Sequence, residues 1–481
     1  MKALQDSTMS TKELVAAFNA LPRNPKAPSG LVPNEWHFDL RFIQIEPTPS
    51  HIVSFVQPQS QFTHMERLPL GLSHSESGMA YFPDTAKEAA PMLVKAILYA
   101  FVNNLGMKEM PIENPPAPYA PWKLTTEDKE LAAEVSLELK RIGVSAEGLY
   151  NVGISKKSTI KIADETFKSL FNGIKMATGF HGIAAVAIST PDSIQFTGFK
   201  VPDPEPIYQR DDDDEDRLTA LTLEYCNWKS RVSPSDGTEI DGKKLGEEMW
   251  KAMMVVKEQL KTKNERVIKE AADCGDPEAA LEYGMRYDIM FHGSFIIESH
   301  FSIHVRLGIG LGCTRDRKLM HDYLIQAAYS ASASKKVKAM AHGRLINWYI
   351  DSAGKGPGSY MRSRYLFGAA HHCNEAAKLC RDVSPRGAPA SPVVLFFMNT
   401  MFQKFSSTVL ELNLWYKDAI KAFEDRNKQY EKGQNKMAEK RLKHPNRYRC
   451  AAPGCGVQSD AGSMLAKCKS PAVLLFINSY R

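Results

Sequence analysis

Cysteine is scarce and dispersed: eight residues in a chain of 481. That density excludes a disulfide scaffold. No stretch approaches the ~18–20 consecutive apolar residues that cross a bilayer. The opening residues, MKALQDSTMS, place an acid early with no apolar core behind a basic start, so no secretory signal is read there. Together these absences predict an intracellular protein, cytoplasmic or nuclear, with reduced thiols and no membrane partner. A one-sided charge is missing too. The 61 Lys/Arg and 55 Asp/Glu leave a net charge of +6, too little for a nucleic-acid coat. No hydrolase elbow, kinase lysine or phosphate-binding Walker loop is found.

What is present divides the chain unevenly. With 43% apolar and 24% charged residues the length suits roughly three domains. The expected fold is mostly α: an N-terminal α+β domain, then a helical-repeat-like domain and a short tail carrying the last three cysteines. Residues 1–35 read as an appendage with a short amphipathic helix from Thr11 to Leu21, ended by Pro22. Residues 36–205 read as the α+β domain. Trp36, Phe38, Leu40 and Phe42 alternate with polar residues as in a half-buried strand, and His51–Val56 is a second strand. A helix is expected from about Ala86 to Leu105, starting at Ala90 or later because of Pro91. The proline-rich 111–122 segment is an extended arm or spacer. Thr125 or Thr126 is the expected cap of a helix carrying Leu131, Val135, Leu139 and Ile142 and ended by Gly143. Asp164–Met176 reads as a helix; Gly182–Thr190 and Ser193–Lys200 read as strands.

The run Asp211 to Asp216, six like charges, marks an acidic linker at 206–217. Its calcium-site alternative lacks the chelating spacing. Helices fill 218–383, with Gly275-Asp276-Pro277 as a turn and Ala279 and Gly284 as seats for a neighbouring helix. After a proline-rich break, Ser391-Pro392 starts a helix that turns basic and runs through 391–445, broken, if at all, at Gly433. Between Lys417 and Arg449 lie eleven Lys/Arg and five Asp/Glu. A solvated face laced by i,i+4 salt bridges is the favoured reading, and a nucleic-acid or acidic-surface contact through 417–449 the other.

The remaining candidates for chemistry are few. Gly308 to Gly312 has the wrong spacing for a dinucleotide loop. His371 and His372, adjacent on a helix, point about 100° apart and suit packing better than one metal. Cys226 beside Trp228 reads as a buried face. The tail is different. Cys450 and Cys455 flank the Pro453-Gly454 turn, which folds one sulfur back beside the other as half of a tetrahedral zinc site. Cys468 follows, and no further Cys or His comes after it.

Two resemblances attach to these residues. AADCGDPEAALEYGMRY resembles the short-hairpin, Sel-like type of tetratricopeptide-like repeat. KRLKHPNRYRCAAPGCGVQ, residues 440–458, resembles the start of a MYND-type zinc finger as found at the C-terminus of a group of fungal proteins. PYAPWKLTTEDKELA and HGRLINWYIDSA also look like such proteins. The resemblance implies a finger in which seven cysteines and one histidine hold two zinc ions in interleaved order. Cys450 and Cys455 match its first ligand pair and Cys468 opens its second, in the incomplete finger at 446–481. The third and fourth pairs have no counterpart, and SPAVLLFINSYR is unlike the family's continuation, which suggests a truncated or misjoined product. For the three thiols a reduced, unstructured tail is one reading. A weak zinc site completed by water or His444 is another, and a site shared across a dimer a third. The family implies a scaffold that binds other proteins. The alternative is an enzyme with its site in the α+β domain.

Overall fold

Glu35–Ile43 (β1) is apolar at every second residue, yet the strand is buried along almost its whole length rather than on one face. Both sides are covered. Trp36 packs edge-on to Phe101, with ring centroids 5.4 Å apart, on the side of α2 (Ala86–Val102). On the opposite side Arg41 lies over the Phe167 ring of α4 (Lys157–Ala177). The computed structural model describes residues 9–45, 49–73, 76–109, 116–145, 147–177, 190–198, 215–237, 242–287, 316–355, 359–402 and 415–444. Within them the chain is mostly helical, with a small mixed sheet near the amino end. No helix among the described residues is long and apolar enough to cross a membrane.

The sheet has five strands in the order β3-β2-β1-β4-β5. β2 (Ser50–Val56) and β3 (Thr63–Leu68) continue β1 as an antiparallel meander, with Leu40 opposite Val53. β4 (Lys123–Thr126) and β5 (Gly153–Ile154) add in parallel, placing Thr125 between His37 and Gly153. Parallel neighbours require crossovers. One contains α2, and the other contains α3 (Lys129–Ile142). The expected caps of α3, Thr125 and Thr126, therefore belong to β4. Asp128 caps the helix instead, accepting from the Leu131 amide at 2.7 Å, and Gly143 closes it at φ +90°, a conformation that favours glycine.

α2 starts at Ala86, earlier than Pro91 suggested. Thr85 Oγ1 accepts from the Glu88 amide, and the Glu88 carboxylate accepts from the Asp84 amide. With the start fixed by that cap, Pro91 falls in the second turn, where its missing N–H removes one helical bond. Ser193–Gly198 is not a strand. It is irregular chain held to β1 by the Ile194 amide on the Leu40 carbonyl at 2.7 Å. α1 (Thr11–Asn19), capped by Ser10 and Glu13, buries Leu14, Val15 and Phe18 and packs on α2 and α3. The proline arm is tied down as well: the Ala120 amide reaches the Pro22 carbonyl, and Arg23 Nε reaches the Pro121 carbonyl.

The helices α5 (Glu215–Val232), α6 (Gly242–Thr262), α7 (Glu265–Asp273), α8 (Pro277–Tyr287), α9 (Arg317–Tyr329), α10 (Lys335–Lys355) and α11 (Ser359–Val383) follow. Packing joins α5 to α6, and every neighbouring pair from α7 to α11. Glu215 and Asp216, expected in the acidic linker, belong to α5 instead. Gly275 takes φ +93°, and Asp276 Oδ1 accepts from the Glu278 and Ala279 amides, so the turn forms as its sequence predicts. A methyl group on Gly284 would come within 2.9 Å of Leu324, and one on Gly368 within 2.6 Å of Tyr349.

The expected single helix from Pro392 through the basic segment is instead interrupted. α12 (Pro392–Phe397) passes into one wide turn at Met398–Phe402, and a new helix, α13, spans Lys417–Lys443. Gly433 lies inside α13 without breaking it. Ser391 makes no side-chain cap bond, and α13 is capped from outside: Asn374 Oδ1 on α11 accepts from the Asp418 and Ala419 amides.

Candidate functional site

Cys450, Cys455 and Cys468 lie outside the described residues, as do Gly308–Gly312, most of the Gly182–Thr190 run and Asp211–Asp214. Two polar clusters stand out among the described ones, and neither was anticipated from the sequence.

The first is on the α4 side of the sheet. His37, Asp39 and Arg41 alternate along β1 and so share one face. All three are buried. Arg41 grips both Asp39 oxygens, at 3.0 and 2.7 Å, and reaches Asp164 on α4 at 2.6 Å. Burial by itself would raise the Asp39 pKa; the guanidinium and the bonds from His37 and Arg41 override it and hold the carboxyl at about 2. Ser155, between β5 and α4, places Oγ 2.7 Å from His37 Nδ1, and His37 Nε2 lies 3.5 Å from Asp39. Serine, histidine and carboxylate in line is the order of groups that activates a hydroxyl. Here the carboxylate is already neutralised by Arg41, and the serine and imidazole are covered by the protein. The geometry locks α4 to the sheet, with the hydroxyl buried.

The second cluster joins the sheet to the helices. A tongue between β3 and α2 inserts Phe82 among Phe42, His51, Tyr349 and Tyr365. Arg364 of α11 lies 3.9 Å above the Phe82 ring and donates to His51 Nε2 at 3.1 Å and to the Pro83 carbonyl at 2.6 Å. Asp84 accepts from Tyr365 at 2.5 Å and from Arg317 at 2.8 Å. Behind this, His342 and His372 face each other, Nδ1 to Nδ1, at 2.8 Å. His371 bonds Tyr329 at 3.1 Å, with its ring at 73° to that of His372. Burial holds His342 down to about 3, helped by His371, Lys338 and Lys378. His372 is lowered by burial and then by its neighbouring histidines.

These are neutral, packed imidazoles. Among the described residues no group of three or more His, Cys, Asp or Glu is placed to hold a metal ion. Cys226 is buried, its thiol pushed up by that burial, and Trp228 is stacked under Arg344 at 3.9 Å. Two sequence signals point to the clusters: polar residues at every second position of β1, and four histidines, His321, His342, His371 and His372, on consecutive helices. The first looks like a water-facing side of the strand until the covering elements are known, and the second like ordinary helix packing.

No protein-family model, curated protein or solved structure matches the chain.

Proposed function

We propose that the chain is a protein-interaction scaffold whose helical part docks other proteins. One observation carries the reading. On α6, Trp250, Met254 and Val255 are 60%, 48% and 56% exposed, while Met253 and Val256 on the other side of the helix are buried. Trp250 and Met254 are one turn apart and form a ridge. Exposed apolar patches mark interaction sites more than single exposed residues do, and tryptophan is enriched among the residues that dominate interface energy. The neighbour-on-neighbour packing of α7 to α11 supports the repeat-like reading of this region, since stacked hairpins provide extended docking surfaces.

The Trp250→Ala, Met254→Ala double variant tests the ridge. Both side chains are exposed, so stability should change by no more than about 1 kcal/mol. Quantitative cross-linking in cell extract should then recover a discrete set of proteins with the unaltered chain and lose them with the variant. An unchanged set would remove the ridge from the function.

Zinc is proposed for Cys450, Cys455 and Cys468 on the donor chemistry alone. Three thiolates are the soft ligands that structural zinc takes, and His444 is a candidate fourth close to them in the sequence. The metal would fix the tail as a docking module. Metal analysis of the full chain beside one lacking residues 446–481 should show stoichiometric zinc only in the former. Equal content in both would move the metal elsewhere.

A further inference from the structure

The basic helix is anchored at one end and open at the other. At its start Asp418 pairs with Arg381 at 2.6 Å, Tyr416 and Ala419 are buried, and Gln429 reaches the Gly387 carbonyl at 2.7 Å. Beyond that the side chains are exposed, apart from the half-buried Met437 and Arg441. From Arg426 to Lys443 there are seven Lys/Arg and two Glu.

Salt bridges within the helix were expected to neutralise this charge. They do not form: among the described residues no ion pair joins two side chains of α13. Glu424 and Lys428, and Glu439 and Lys443, have the favourable order and spacing. An exposed pair of this kind is worth only about 0.3–0.5 kcal/mol, and here both partners stay in water. Arg426, Lys428, Lys432, Lys436, Lys440 and Lys443 are therefore cations available to another molecule.

Their arrangement is regular. Lys428, Lys432, Lys436 and Lys440 follow at four-residue steps, each about 6 Å further along the axis and about 40° around it. Lys443 falls within the same arc, and Arg426 flanks it. We propose that the exposed lysines in this half of α13 bind the phosphate backbone of duplex DNA, the helix lying in the major groove. The groove is about 12 Å wide and admits a helix of this diameter. A stripe that winds around the helix meets phosphates on the groove walls, and a duplex offers one charge per ~1.7 Å of its length. Single strands need stacking platforms as well as cations, and the exposed part carries one aromatic, Tyr430. Double-stranded RNA closes its major groove to side chains. The proposal is independent of the ridge on α6 and of zinc.

The test is fluorescence anisotropy with the full chain and a labelled 20-base-pair DNA of arbitrary sequence, between 50 and 300 mM salt. Binding should weaken with a log–log slope of about −4 to −6, as expected when five to seven phosphates are contacted. The Lys428, Lys432, Lys436, Lys440→Gln quadruple variant keeps good helix formers at exposed sites. It should lose at least a hundredfold in affinity at 100 mM salt and flatten the slope by about 3 to 4, with an unchanged thermal midpoint. Equal affinity of variant and unaltered chain, a slope near zero, or tighter binding to the single strand would each overturn the proposal. So would binding to vesicles of 30% phosphatidylserine, or to polyglutamate, with no binding to the duplex.

Discussion

Arg41 illustrates how a charge becomes structural. Its guanidinium makes two bonds to Asp39, one to Asp164 and one to the Pro191 carbonyl at 3.0 Å, so one side chain on β1 fastens α4 and the irregular segment before Ser193. Removing the cation leaves Asp39 buried and uncompensated. Arg41→Met should therefore cost about 3–5 kcal/mol in urea denaturation, the usual penalty for breaking a buried pair from one side. Adding Asp39→Asn to it should recover part of that loss, because the stranded charge is gone. A loss under about 1 kcal/mol for the single variant would mean that water reaches the pair. The sequence makes the apolar half of β1 legible and hides this polar half. Alternation reads as one face in water, and only the position of α4, set by distant residues such as Phe167, turns that face inward.

Secondary elements were readable wherever local chemistry settles them. Gly143 stops α3 and Asp276 starts α8, because a left-handed glycine and an Asx cap work within a few residues. The errors arise where a partner from elsewhere decides. Pro91 argued for a late start to α2, and Thr85 fixed an early one. Ser391 looked like the cap of one long helix; the chain instead widens to a π turn after Phe397, and α13 starts anew after Tyr416, capped by Asn374 from α11. β4 is four residues long and pairs in parallel with β1, so nothing within Lys123–Thr126 announces it. The same reasoning applies to the candidate sites. The cysteine spacing was conspicuous in the sequence, whereas the histidine cluster needed α9, α10 and α11 to be side by side. The freedom of the lysines on α13 came from pairs that local spacing predicted and the fold leaves open.

At the scale of the whole molecule, the sheet and the helices are joined by groups that must stay neutral or paired. His51, His321, His342 and His372 are all held below the ordinary histidine value, in each case first by burial. His342 on α10 faces His372 on α11 and the Tyr329 ring on α9, with His371, Lys338 and Lys378 opposing its protonation by charge. His321 on α9 contacts Tyr349 and Trp348, with Asp322 favouring its protonation and Lys318 opposing it. His51 on β2 meets Arg364 across the junction. In the unfolded chain each imidazole takes a proton near pH 6.5; in the fold it resists down to about 3 for His342. The unfolded state therefore binds more protons in between, and stability is fully present above pH 6.5 and falls as the pH drops through that window. Each histidine contributes up to about 1.4 kcal/mol per pH unit. Glu88, raised by burial, acts in the opposite sense, and it is one group against four. Urea midpoints at pH 7.5, 6 and 5 should fall steeply, and His342→Gln should reduce the slope of unfolding free energy with pH by about one histidine's share, whatever it does to stability at pH 7.5. A flat profile from 7.5 to 5 would mean that these imidazoles are already protonated in the fold, or open to water, and that the junction is not the dry, neutral interface its geometry describes.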